Sequence, residues 1–194
     1  MTAVQSRRML TALDHVILGG LLLLTALLLV LGAVQPVGAG ELIPQFGMTR
    51  QINGGNEAKA SYGLALRGNL APFLMAEIAG SYRKEPALAG AVQMVQWPVT
   101  TSLWLRPLPT FYAGGGVGWY HTTLQYTDPL LQNSTTEKFG AHAGGGFEIP
   151  LVPGVASIDL NGRYVYLGNQ TSKLPPKDWK ADYWTTTAGL AIHF

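Results

Sequence analysis

Eight stretches of this chain alternate in polarity with a period of two, and the links between them alternate in length. The stretches fall at about 42–51, 60–69, 72–83, 92–106, 110–126, 137–150, 155–167 and 182–194. A strand points successive side chains to opposite faces, so each stretch reads as a strand with two unlike faces. The long links are QINGGNEAK, KEPALAGA, TDPLLQNSTT and GNQTSKLPPKDWKA; the short ones are NLA, PLP and LVPG. Strands joined in this way form an up-and-down antiparallel sheet with tight turns at one end and long loops at the other. An even number of strands lets the last pair with the first, which removes both exposed edges. The expected architecture is an all-β, eight-stranded antiparallel up-and-down barrel.

The faces indicate how such a barrel is solvated. In VASIDLNGRYVYL, Ala156, Ile158, Leu160, Tyr164 and Tyr166 share one side, and Ser157, Asp159, Asn161 and Arg163 share the other. The polar side also carries Gly114, Gly116 and Gly118 of AGGGVG (113–118), Gly144 and Gly146 of AGGGFE (143–148), and Gly140. A soluble barrel would alternate too, with its apolar face inward. Three features favour the opposite arrangement, with a polar lumen and an apolar exterior in lipid. The polar face carries charges of both signs, as a plugged lumen would, and Arg67, Glu77, Arg106, His142, Glu148, Asp159 and Arg163 all fall on it. Aromatics gather near strand ends: Phe46, Phe111, Phe147 and Phe194 toward one rim, Tyr82, Trp97, Trp119, Tyr164, Tyr166 and Trp184 toward the other. Charged residues make up only 12% of the chain. The last strand ends on Phe194, which on this reading is a rim residue on the lipid face. If LVPG forms the turn between strands six and seven, His142 lies opposite Arg163.

Residues 1–39 read as an export signal. Arg7 and Arg8 precede the uncharged run VILGGLLLLTALLLVLGAV (16–34), and QPVGAG places Val37 and Ala39 for cleavage after Ala39. The run is long enough that a retained anchor is the alternative reading. The barrel domain is then 40–194. The formal charge of +2 offers no basic surface for nucleic acid, and with no cysteine there is no disulfide framework and no thiolate metal site.

The segments ASYGLALRGNLAPFLMAEI, YAGGGVGWY and FGAHAGGGFEIP, with a closing strand that ends in Phe, resemble the small outer-membrane β-barrel family, the OmpA/OmpX-like porin-family domain of Gram-negative bacteria. The resemblance spans most of 41–194. It implies a transmembrane barrel in the cell outer membrane, surrounded by lipid and lipopolysaccharide. It also implies recognition by the barrel-assembly machinery through the strand ending in Phe194, a monomeric state, and no following peptidoglycan-binding domain. Trp97, Trp119, Tyr164, Tyr166, Trp184 and Phe194 become membrane-interface anchors. Lys173, Lys177 and Lys180, around Trp179 in the last long loop, become contacts for lipopolysaccharide phosphates.

Chemistry is harder to find. Neither glycine segment is followed by GK[ST] and a helix, as a phosphate-binding loop requires, so the glycines are read as room for long lumen side chains. His121, near the loop rim, has Thr122 and Thr123 beside it, while His193, at the turn end, has no nucleophile next to it in the sequence. No two histidines share a strand face at ligand spacing. The expectation is a non-enzymatic surface protein without cofactor or metal, structural or adhesive in role, with a mostly closed polar lumen. A narrow porin-like channel is the alternative, and a lipid A-modifying barrel enzyme a more distant one.

Overall fold

In a computed structural model of the protein, the structure describes residues 40–52, 58–87, 91–128, 130–171, 173–174 and 178–194. The leader and its cleavage point lie outside the described residues. The strands are β1 (Glu41–Gln51), β2 (Lys59–Ala71), β3 (Leu74–Ala87), β4 (Val92–Leu108), β5 (Phe111–Tyr126), β6 (Ser134–Val152), β7 (Ala156–Tyr166), β8 (Asn169–Thr171), β9 (Asp178–Lys180) and β10 (Tyr183–His193). Strands β1 to β7 pair antiparallel in sequence order, and β10 closes the barrel between β7 and β1. At the closing seam Leu42 pairs with Ile192 and Met48 with Thr186, and Phe194 N donates to Gly40 O at 2.9 Å.

The tight turns join β2 to β3, β4 to β5 and β6 to β7. The last is set by sequence chemistry: Val155 N donates to Val152 O, with Pro153 and then Gly154 at φ 72° between them. Proline followed by a glycine of positive φ is the type II arrangement. The turn is therefore VPGV rather than LVPG, centred one residue later, which moves the β6–β7 register by two. His142 pairs with Val165, and Arg163 faces Gly144. The expected His142–Arg163 pairing is thereby corrected.

The loop end differs in two further ways. KEPALAGA is not a long loop, because β3 and β4 continue until Ala87 pairs with Val92. The extension is held from inside, where Glu85 accepts from Gln51 Nε2 at 2.8 Å and meets Arg83 Nη1 at 2.9 Å. The last connection, by contrast, folds on itself, with β8 and β9 forming a separate two-stranded sheet. Asp182 Oδ1 caps its start by accepting from Leu167 N and Gly168 N.

The barrel is apolar outside. Leu64, Leu103, Leu105, Val117, Phe139, Phe147, Leu160 and Leu190 are exposed, Phe139 at 81%. Trp184 and Phe194 both lie on this outer face of the β10 segment, ten residues apart. At about 3.3 Å per residue and a tilt of about 40°, that spacing corresponds to about 25 Å along the barrel axis, the height of an outer-membrane hydrocarbon band. Aromatic pairs mark the loop-side rim: Tyr82 with Trp97 at 4.6 Å between centroids, and Tyr164 with Trp184 at 5.1 Å. Phe111 with Phe147 at 5.4 Å marks the turn-side rim. Phe46 is not at a rim. It lies midway along β1 against Tyr62, at 5.4 Å.

Candidate functional site: the lumen

Closing a barrel of eight strands leaves an interior that side chains can fill, and a charge buried there is costly unless it is paired. The even or odd residues of each strand that point inward assemble into two ionic layers.

The layer nearer the turns is centred on Arg67, only 2% exposed. Its Nε and Nη2 both donate to Glu77 Oε2, at 3.1 and 2.9 Å, and its Nη1 reaches Asp159 Oδ2 at 2.8 Å and Glu41 Oε2 at 3.2 Å. Glu77 Oε1 accepts from Arg163 Nη2 at 2.7 Å, and Arg163 Nε donates to Asn161 Oδ1 at 2.6 Å. Tyr112 joins the two sides: its hydroxyl donates to Asp159 at 2.8 Å and accepts from Asn161 Nδ2 at 3.0 Å and Arg67 Nη2 at 3.2 Å. Trp104, fully buried inside the barrel, stacks edge-on to Tyr112 and carries Arg163 over its ring at 4.9 Å. Toward the turn-side mouth Arg106 bridges Glu148 and Glu41.

The second layer lies toward the loops. Arg83 Nε donates to Gln96 Oε1 at 2.8 Å, Gln96 Nε2 donates to Thr122 at 2.7 Å, and the guanidinium stands 3.6 Å over the Tyr183 ring. Above it the inward face turns apolar: Val92, Met94, Leu124 and Tyr126 are buried together, with Leu131 and Leu174 of the loops packed against them. Among the described residues this apolar cluster stands at the loop end of the lumen, and Arg106 with its carboxylates at the turn end.

All seven residues singled out for the lumen point inward. Six of them form the turn-side layer, and His142 stands apart, with Nε2 2.9 Å from Ser102 Oγ. Sequence reasoning missed Glu41, Tyr112, Asn161, Trp104 and the Arg83–Glu85 pair as members of the network. It also missed the neighbour of His193: Ser157 Oγ lies 2.6 Å from His193 Nε2, so a hydroxyl does stand beside that imidazole. Ser157 is buried and also donates to Glu148 Oε1 at 2.9 Å, which makes it part of the packed network. Potential metal-ligating atoms of Glu41, Glu148 and His193 lie within 4.8 Å of one another. Arginines already meet those carboxylates, Arg106 both of them and Arg67 Glu41.

On the outer face Trp97, Tyr166, Trp184 and Phe194 are exposed and Trp119 and Tyr164 half-buried. Lys173 is engaged within the loops. Its Nζ donates to Gln132 O at 2.9 Å and its backbone N to Tyr126 Oη at 3.0 Å. Lys180 is exposed on β9, and Lys177 lies outside the described residues. His121 pairs with Glu137 across β5 and β6, at 3.5 Å.

No protein-family model matches the chain, and no curated protein matches it in sequence. Among solved structures it is similar to neisserial surface protein A, with TM-score 0.60 and 12% identity over 80% of this chain and 96% of that one. It is also similar to the outer-membrane protein OprG of Pseudomonas aeruginosa, with TM-score 0.57 and 15% identity over 81% and 96%. A third is Ail, the attachment invasion locus protein of Yersinia pestis, with TM-score 0.55 and 15% identity over 81% and 99%. At these identities the likeness is one of fold, that of the eight-stranded outer-membrane barrels.

Proposed function

We propose that the chain is an exported, integral outer-membrane barrel with a structural or surface-interaction role, built around a sealed polar lumen. The single observation that carries this reading is the inversion of polarity. Arginines and carboxylates are fully buried inside while phenylalanine, tryptophan and leucine cover the outside, an arrangement that is stable only when the outside meets lipid. Both mouths are occupied by side chains, which favours a scaffold that displays loops over an open porin. In this reading Trp97, Trp119, Tyr164, Tyr166, Trp184 and Phe194 hold the barrel at the two interfaces, and exposed Lys180 faces lipopolysaccharide phosphate. Ail is an attachment invasion locus protein, and an adhesive role for this chain is the parallel reading.

Electrophoresis of the outer-membrane fraction, with and without boiling, tests the location. A compact band that shifts on heating supports a closed membrane barrel, and recovery in the soluble or inner-membrane fraction overturns it. Binding of intact cells to host-type or lipopolysaccharide-coated surfaces, with and without the gene, then tests the role. A cavity at mid-lumen favours a second reading, a narrow ion path that opens when the turn-side layer rearranges. Discrete single-channel conductance that changes in Arg163→Gln would support it.

A further inference from the structure

Between the two ionic layers lies a chamber of about 50 Å³, room for a few water-sized particles. Arg83, Pro98, Tyr120, His142, Arg163 and Thr187 are on its wall. Four of these keep a buried polar atom with no hydrogen-bond partner among the described residues: Arg83 Nη2, Tyr120 Oη, His142 Nδ1 and Thr187 Oγ1. They come from β3, β5, β6 and β10, so they approach from different sides of the barrel. Arg83, Tyr120 and His142 are each more than nine-tenths buried.

The other atoms of these groups are already engaged. Arg83 Nε donates to Gln96, while its Nη1 is in ion-pair contact with Glu85 at 2.9 Å without making a hydrogen bond. Ser102 Oγ and His142 Nε2 are 2.9 Å apart; in the tautomer in which Ser102 donates, His142 Nδ1 carries the ring proton and is a donor into the chamber. Two guanidiniums line the chamber and no carboxylate does, since Glu77 and Glu85 hold the outer sides of Arg163 and Arg83. The Tyr120 and Thr187 hydroxyls can serve either water or an anion, and what favours the anion is the charge: two guanidiniums without a carboxylate on the wall, since donors to a charged acceptor make the stronger bonds.

We propose that this chamber binds one small inorganic anion of halide size, held by Arg83, Tyr120, His142 and Thr187. The anion is a structural ligand that joins the two layers across the middle of the lumen.

Crystals grown in bromide and measured at the bromine absorption edge test this directly. An anomalous peak within hydrogen-bond distance of Arg83 and Tyr120 supports the site, and density for water alone overturns it. Thermal unfolding in detergent gives an independent reading. A ligand bound only by the folded barrel should raise the midpoint by a few degrees for each tenfold rise in chloride, compared with gluconate at equal ionic strength. Tyr120→Phe removes one donor without changing charge or ring packing, and should flatten that dependence. A wild-type midpoint insensitive to halide, or an unchanged slope in Y120F, counts against the proposal.

Discussion

Arg67 and Glu77 face each other across the β2–β3 hairpin, with two guanidinium nitrogens on a single carboxylate oxygen and the second oxygen given to Arg163. One glutamate thus bridges two buried arginines, and Asp159 and Glu41 complete the partners of Arg67.

Glu77→Ala leaves Arg163 with no carboxylate partner among the described residues and takes from Arg67 one of its three. Removing one partner of a buried pair costs about 3–5 kcal/mol, and here two donors lose the same acceptor. The variant should unfold at markedly lower temperature or denaturant in detergent, and Glu77→Gln should recover part of the loss. A neutral result would mean that these arginines are hydrated in the folded barrel.

Tyr112→Phe keeps the ring against Trp104 and removes a hydroxyl that serves Asp159, Asn161 and Arg67. The expected cost is about 1–3 kcal/mol by equilibrium unfolding, because the partners stay buried without it. The barrel itself should be unchanged in circular dichroism.

Two glycines separate lumen room from lipid-face tolerance. A Cβ at Gly116 would run into the Thr101 carbonyl oxygen and lie 2.8 Å from Ser102 Cα, both backbone of the adjacent strand. Gly116→Ala should therefore displace β4 from β5 and lower the yield of heat-modifiable barrel. At Gly162, on the outer face, a Cβ meets nothing within 4 Å. Gly162→Ala should be neutral, or stabilising by up to about 1 kcal/mol through the unfolded chain.

The depth of the lipid band can be read from charge. Ala188 faces outward four residues from Trp184, in the middle of the span, so Ala188→Arg should cost about 2–4 kcal/mol on folding into phospholipid vesicles. Tyr166→Arg, at the loop-side rim, should cost about 0–1 kcal/mol. Equal costs at both positions would disprove the assigned orientation in the membrane.

The number of strands was legible because an inside-out barrel writes its two solvents into alternate residues. The alternation also carried Arg67, Glu77 and Asp159 to the inner face. What it could not show was which inward residues meet, since that depends on register, and register depends on turns. One residue of displacement in the β6–β7 turn moved Arg163 from His142 to Gly144. Trp104 and Tyr112 were missed for another reason: large aromatics are expected outside such a barrel, yet both share parity with the polar lumen residues of their strands. Glu41 was legible in principle, lying in phase with Gln45, Thr49 and Gln51, but it sits one residue before the expected start of β1. Ser157 and His193 are 36 residues apart and meet only because β7 and β10 are neighbours in the barrel.

The turn-side layer also bears on the order of assembly. Arg67 reaches Asp159 across 92 residues of sequence, and Arg163 reaches Glu77 across 86. Contacts of such separation come after the loops between them have closed, so hairpins that zip in sequence order gain the local Arg67–Glu77 pair but none of these long-range ones. Until β10 meets β1, each half-built sheet carries unmatched charge on the face it must bury. Completion of the circle then satisfies the whole set together, which makes insertion closer to an all-or-none event than to a strand-by-strand one.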